Sequence, residues 1–187
     1  MTSDHAVPAF SLQDPTLNWQ ALTHASPPPE RRWRSWLEDP GSLTAKLKAR
    51  SACHFRVKVL QEGWVELNQA ALRQRFGPVA SSRRFWSRQV CLLGLDQPWV
   101  LAHTLIAETS LQGPLQVLRT LDEKPLGEYL FQQPDLRRGE LEIARLQEAW
   151  ARRTVFNLRQ QPIMVAEAFL PDLLAFKPSS NLSAGGL

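Results

Sequence analysis

Residues 85–107 read FWSRQVCLLGLDQPWVLAHTLIA, and the first nine of them, Phe85–Leu93, decide how the chain folds. Their β-branched, aromatic and aliphatic side chains, with the turn-like stretch Gly94–Pro98 behind them, predict a strand. Strand side chains alternate between faces, so Trp86, Arg88, Val90 and Leu92 share one side, and Phe85, Ser87, Gln89, Cys91 and Leu93 share the other. Arg88 therefore falls on the apolar side, although the semi-polar side lay one residue away. An unpaired guanidinium there is costly. Arg88 must face a fixed carboxylate or a cavity that receives an anionic ligand. Trp99–Ala107 completes a hairpin across the loop Gly94–Pro98.

Outward from the hairpin, the prediction is a succession of short elements. Helices are expected at Arg32–Glu38 and Leu43–Ala49, the second capped by Ser42 and separated from the first by Pro40-Gly41. A strand follows at Phe55–Leu60, continued after a bend by Gly63–Leu67. Ala70–Phe76 is a short helix stopped by Gly77-Pro78. Ser110–Leu121 reads as helical, with Pro114 near its start and Leu115, Leu118 and Leu121 on one face. Pro125–Phe131 is another short helix, and strands are expected at Glu140–Leu146, Arg153–Gln160 and Ile163–Leu170. Helices grouped between turn-linked strands give an α+β fold with antiparallel pairing, not a doubly wound nucleotide fold. The expected organisation is a loosely ordered arm over 1–30, one domain over 31–174 and a disordered tail over 175–187.

With 187 residues, 43% hydrophobic and 21% charged, the chain suits a single domain with a substantial core. No apolar run approaches the ~20 residues that span a bilayer. Residues 1–30 lack the apolar centre of a signal peptide, so a soluble, cytoplasmic protein is expected. Cys53 and Cys91 read as free, buried thiols. The net charge of +4 is spread over scattered pairs such as Arg83-Arg84, Arg137-Arg138 and Arg152-Arg153, placed at strand or loop ends. That scatter disfavours nucleic acid and suits a small anionic ligand.

Glu167 repeats the anomaly of Arg88. It is the only charge in IMVAEAFL, residues 163–170, and alternation places it with Ile163, Val165 and Phe169. Buried Arg and Glu are almost always paired. From the pattern alone two readings stand: Arg88 and Glu167 form an internal ion pair, or they hold opposite ends of a polar ligand. The histidines at 5, 24, 54 and 103 show no metal-site spacing, and no nucleophile elbow, phosphate loop or dinucleotide fingerprint occurs. His103 reads as a satisfied sheet histidine.

Four stretches taken in order, VKVLQEGWVELN at 57–68, RRFWSRQVCLLGLDQPWVLAHTLI at 83–106, GPLQVLRTLDEKPLGEYLF at 113–131 and PIMVAEAFLP at 162–171, resemble the chorismate lyase family. The likeness covers about residues 30–173. It implies a six-stranded antiparallel sheet with helices on one side and helical flaps over a buried ligand cavity. It also implies a lyase without metal or cofactor that converts chorismate to 4-hydroxybenzoate and pyruvate for ubiquinone synthesis. The family's ligand-contacting arginine and glutamate fall on Arg88 and Glu167, and its flap positions on Leu126 and Leu43, the last being commonly Met in the family. Chorismate as substrate, a tightly held 4-hydroxybenzoate product, no membrane span and a monomeric state are the expectations that follow. The rivals are a non-catalytic effector-binding domain of the same fold and a basic nucleic-acid or protein-interaction module.

Overall fold

The structure, a computed structural model, describes residues 9–176. Two features of the sequence organise it: strands with strict alternation, and turns tight enough to bring successive strands side by side. In chain order the elements are β1 (Gln20–Ala21), α1 (Arg31–Leu37), α2 (Leu43–Arg50), β2 (Phe55–Val65), α3 (Ala70–Gln74), β3 (Phe85–Gly94), β4 (Gln97–Ala107), α4 (Leu126–Phe131), β5 (Arg137–Arg138), β6 (Glu142–Arg145), β7 (Trp150–Leu158), β8 (Gln161–Phe169) and α5 (Pro171–Ala175). All strands join one antiparallel sheet in the order β1-β6-β7-β8-β4-β3-β2, with β5 also pairing with β7. The sheet has eight strands rather than the expected six. Two of them, β1 and β5, are only two residues long, too short to announce themselves by alternation.

The central hairpin is tighter than its sequence suggests. Gly94 pairs with Gln97, so the loop is Leu95-Asp96 alone, with φ of 53° and 62°. Positive φ at both central residues matches the twist of the flanking strands. Gly94 is required for another reason: a Cβ there would lie 2.2 Å from the Trp99 ring, which is buried in the core. The β7–β8 hairpin repeats the turn with Arg159 and Gln160, at φ 52° and 61°.

Other boundaries shift for physical reasons. The two predicted pieces Phe55–Leu60 and Gly63–Leu67 form one strand, with a register irregularity between Val59 and Gln61. Such a bulge bends a strand without ending it. The expected helix at Ser110–Leu121 is a 3-10 segment at Gly113–Arg119. Leu115, Leu118 and Leu121 are spaced by three throughout, which is the repeat of a 3-10 turn, where i and i+3 eclipse. The strands predicted at Glu140–Leu146 and Arg153–Gln160 occupy Glu142–Arg145 and Trp150–Leu158. The Arg152-Arg153 pair, expected at a strand end, is therefore inside β7. Ser42 caps α2 as predicted, its hydroxyl accepting from Ala45 N–H at 3.3 Å.

Both faces of the sheet are covered, not one. On the side of Phe85, Cys91, Leu101 and Leu105 lie Leu72 of α3, Phe76, and Phe10 and Leu12 from the N-terminal stretch. Residues 9–30, read from the sequence as a loose arm, thus carry Phe10 and Leu12 into the core. Their anchor is polar: Leu12 N–H donates to His103 Nδ1 at 2.9 Å, and His103 Nε2 meets Ser87 Oγ at 2.9 Å. The Leu12 N–H can only donate, so Nδ1 is the acceptor and the ring proton sits on Nε2. Burial pushes the His103 pKa down to about 4. Cys91 is buried on the same face and burial raises its thiol to about 11, which leaves it neutral and unreactive. Cys53 is also free but exposed, contrary to expectation, in a turn where its φ is 71°. Most of the expected tail, from 177 onward, lies outside the described residues; Pro171–Ala175 is helical and buries Leu173.

Candidate active site

The opposite face is assembled from cross-strand rows. Antiparallel partners share a face, so the register places Glu62, Arg88, Thr104, Val165 and Thr154 in one row across β2, β3, β4, β8 and β7. The next row holds Val90, Ala102, Glu167, Arg152 and Ile143. Two separate apolar clusters border these rows. One gathers Trp33, Trp36, Leu43, Leu47, Val90, Leu92, Trp99 and Phe169. The other gathers Ile106, Leu115, Leu118, Leu130, Phe156 and Ile163. A strip of charge therefore runs between two cores on one face.

Arg88 is 3% exposed and held by three acceptors. Its Nη1 pairs with Glu62, and its Nη2 donates to the carbonyls of Asp122 at 2.7 Å and Lys124 at 3.1 Å. Glu167 pairs instead with Arg152, Nε to Oε2 at 2.6 Å. Arg152 Nη1 donates to the carbonyls of Trp36 and Asp39, each at 2.9 Å. Arg88 and Glu167 thus do not neutralise each other. They stand two strands and one two-residue step apart, about 12 Å between α-carbons by sheet spacing. Between them β4 presents the small side chains Ala102 and Thr104.

Partners of both anchors escaped the sequence reading. Glu62 faces Arg88 because the β2 bulge resets the alternation that a two-piece reading had broken. Arg152 shares a face with Trp150, Thr154 and Phe156, a pattern visible in the sequence once β7 begins at Trp150. Of the hollows described among residues 9–176, none is lined by both Arg88 and Glu167, so the expected enclosed cavity is not shown. Clefts of 460 and 610 Å³ lie elsewhere, around Trp33, Arg145 and Trp150 and around Asp14, Leu17 and Leu170.

Leu43 and Leu126, chosen as flap positions, are the first residues of α2 and α4. These helices touch. A Cβ on Gly127 would come 2.8 Å from Thr44 Oγ1, and Lys48 pairs with Glu128 across the contact. Leu43 is buried with the first cluster, and Leu126 packs half-buried on the second, so the two helices bridge the strip. The loop whose carbonyls hold Arg88 leads directly into α4.

An antiparallel sheet bearing opposed charges between two apolar clusters, bridged by short helices, defines an α+β protein that keeps polar groups fixed and away from bulk water. Its relatives narrow the class. The chorismate lyase family profile matches residues 15–177. The chorismate pyruvate-lyase of Serratia proteamaculans (strain 568) is 36% identical over 157 residues, 84% of this chain and 87% of that one. That of Proteus mirabilis (strain HI4320) is 38% identical over 144 residues, 76% and 83% of the two chains. That of Hamiltonella defensa is 33% identical over 156 residues, 83% and 86%. The chain belongs to the chorismate lyase family.

Proposed function

We propose that this protein is a chorismate pyruvate-lyase, releasing 4-hydroxybenzoate and pyruvate from chorismate without a metal or redox cofactor. The observation that carries the site assignment is the placement of two charges of opposite sign on one sheet face, each held by its own partner, with small residues between them. Loss of pyruvate makes the ring aromatic, so the reaction is strongly downhill. The C4–H electrons enter the ring, the C3–O bond breaks towards the ether oxygen, and the proton from C4 ends on the enolpyruvyl methylene. The protein's share is orientation and stabilisation of charge on the departing group.

Arg88 takes the ring carboxylate, for which its planar fork is suited. The carboxylate replaces the Asp122 and Lys124 carbonyls as acceptor, so entry requires the 120s loop and α4 to move. Glu167 has one oxygen on Arg152, leaving Oε1 to accept the ring hydroxyl. Leu43 and Leu126 close over the ring from the starts of α2 and α4. Because exit needs the same opening, product release limits turnover and 4-hydroxybenzoate inhibits.

The direct test is incubation with chorismate alone, which should yield 4-hydroxybenzoate and pyruvate in equal amounts. No turnover, with chorismate bound intact, would favour the effector-binding alternative. Glu167→Gln keeps an acceptor oxygen and is expected to retain kcat within about tenfold; a loss of 10²- to 10⁴-fold would instead make Glu167 the proton acceptor.

A further inference from the structure

A third guanidinium lies at the Glu167 end of the strip. Arg138 on β5 pairs with Phe156 on β7, and Phe156 shares its face with Arg152, so Arg138 projects onto the same side. Its Nη1 donates to the Asp39 carbonyl at 2.9 Å. That is the oxygen Arg152 Nη1 also uses, at 2.9 Å. Two guanidinium groups thus converge on one acceptor. The Arg138 guanidinium also lies 5.8 Å from the centre of the Phe156 ring.

The local charges do not balance. Glu167 is bonded to Arg152. The Asp39 carboxylate is taken by Lys46 Nζ at 2.6 Å and by Gly41 N–H at 2.8 Å. Among the described residues, three cations (Arg138, Arg152 and Lys46) face two carboxylates. Arg138 Nε is buried and has no acceptor among the described residues, a costly state for a charged donor. Burial lowers the Arg138 pKa and Arg152 adds to that push, against Glu167 and Asp39.

We infer that Arg138 binds the second carboxylate of the substrate, the one on the enolpyruvyl arm. This rests on the lyase reading above. Chorismate carries its ring carboxylate para to the hydroxyl, and the enolpyruvyl ether on the carbon next to that hydroxyl. With the ring carboxylate on Arg88 and the hydroxyl on Glu167, the side-arm carboxylate falls at the Glu167 end, where the unfilled donor is. As the ether bond breaks, negative charge grows on the enolpyruvate oxygen beside that carboxylate, so the same surplus of positive charge favours departure.

Substrate and aromatic product differ in the group concerned: 4-hydroxybenzoate has no side-arm carboxylate. Arg138→Met is therefore expected to raise the chorismate KM roughly tenfold to hundredfold. It should leave the Kd of 4-hydroxybenzoate unchanged within about twofold and weaken inhibition by added pyruvate. A merely structural role would move both ligands together. Parallel loss of 4-hydroxybenzoate affinity, or an unchanged KM, overturns the inference. Arg138→Lys keeps the charge and removes Nε; it should show the same split at smaller size, and it serves if the Met variant does not fold. The underlying reading fails separately, in the wild-type protein, if chorismate is not consumed.

Discussion

The two faces of this sheet treat the polar groups at their centres differently. At the centre of the His103 face the polar groups are closed: Leu12 N–H, the imidazole and the Ser87 hydroxyl satisfy each other inside a continuous apolar cluster, and further along the same row Glu142 pairs with both Arg153 and Arg75. On the Arg88 face the charges form an open chain, Glu62–Arg88 at one end and Glu167–Arg152–Arg138 at the other, between two clusters that do not merge. A closed unit fixes structure, since nothing further is to be bonded. An open chain leaves an oxygen on Glu167 and a donor on Arg138 without a partner among the described residues, and places exchangeable carbonyls on Arg88. Buried charge retained in this form adds little to stability, which argues that it serves a ligand.

The comparison breaks first at Arg88. Arg88→Ala is expected to reduce kcat/KM for chorismate by about 10³-fold, from the loss of charge-assisted bonds, and to abolish 4-hydroxybenzoate binding measured by calorimetry. Full turnover and saturation in this variant would make the Arg88 face as structural as the other.

The next effect belongs to the His103 face and appears in stability. The unfolded chain protonates this ring below about pH 6.5, whereas burial holds the folded ring neutral down to about 4. As pH falls through that window the unfolded state gains protons first, so the folded state loses stability, by about 3 kcal/mol over the whole interval. Protonation at Nδ1 also removes the acceptor for Leu12 N–H. Urea unfolding at a series of pH values should show this loss in the wild type, with a shallower slope between pH 6.5 and 4 in His103→Gln. Equal slopes would mean that the imidazole is not held neutral.

The smallest effect concerns the bridge over the strip. Lys48 and Glu128 are each more than two-fifths exposed, so Glu128→Gln should change stability by no more than about 1 kcal/mol. Its informative readout is the dissociation rate of 4-hydroxybenzoate, which should rise as the contact between α2 and α4 loosens. An unchanged rate would mean that these helices do not gate release.

Much of the fold was legible because alternation is a local property. The period of two in Phe85–Leu93 and Ile163–Leu170 marked both strands and the charge on the wrong side of each, and Ser42 announced the start of α2. Glu62 was hidden by the β2 bulge, because one extra residue reverses every later assignment of face. Arg138 was hidden by brevity: two residues show no period, and only pairing with β7 turns Arg138 inward.

By itself the sequence determined that Arg88 and Glu167 share apolar strand faces and that the chain resembles the chorismate lyases. Whether the two charges neutralise each other was decided by the tertiary structure alone. Cross-strand register, a long-range property, set β4 between them with Ala102 and Thr104 and gave each a different partner. The same register brought Arg138 and Arg152 to one carbonyl, so the charge that first looked misplaced at Arg88 is one end of a strip whose other end is built from residues fifty or more positions away.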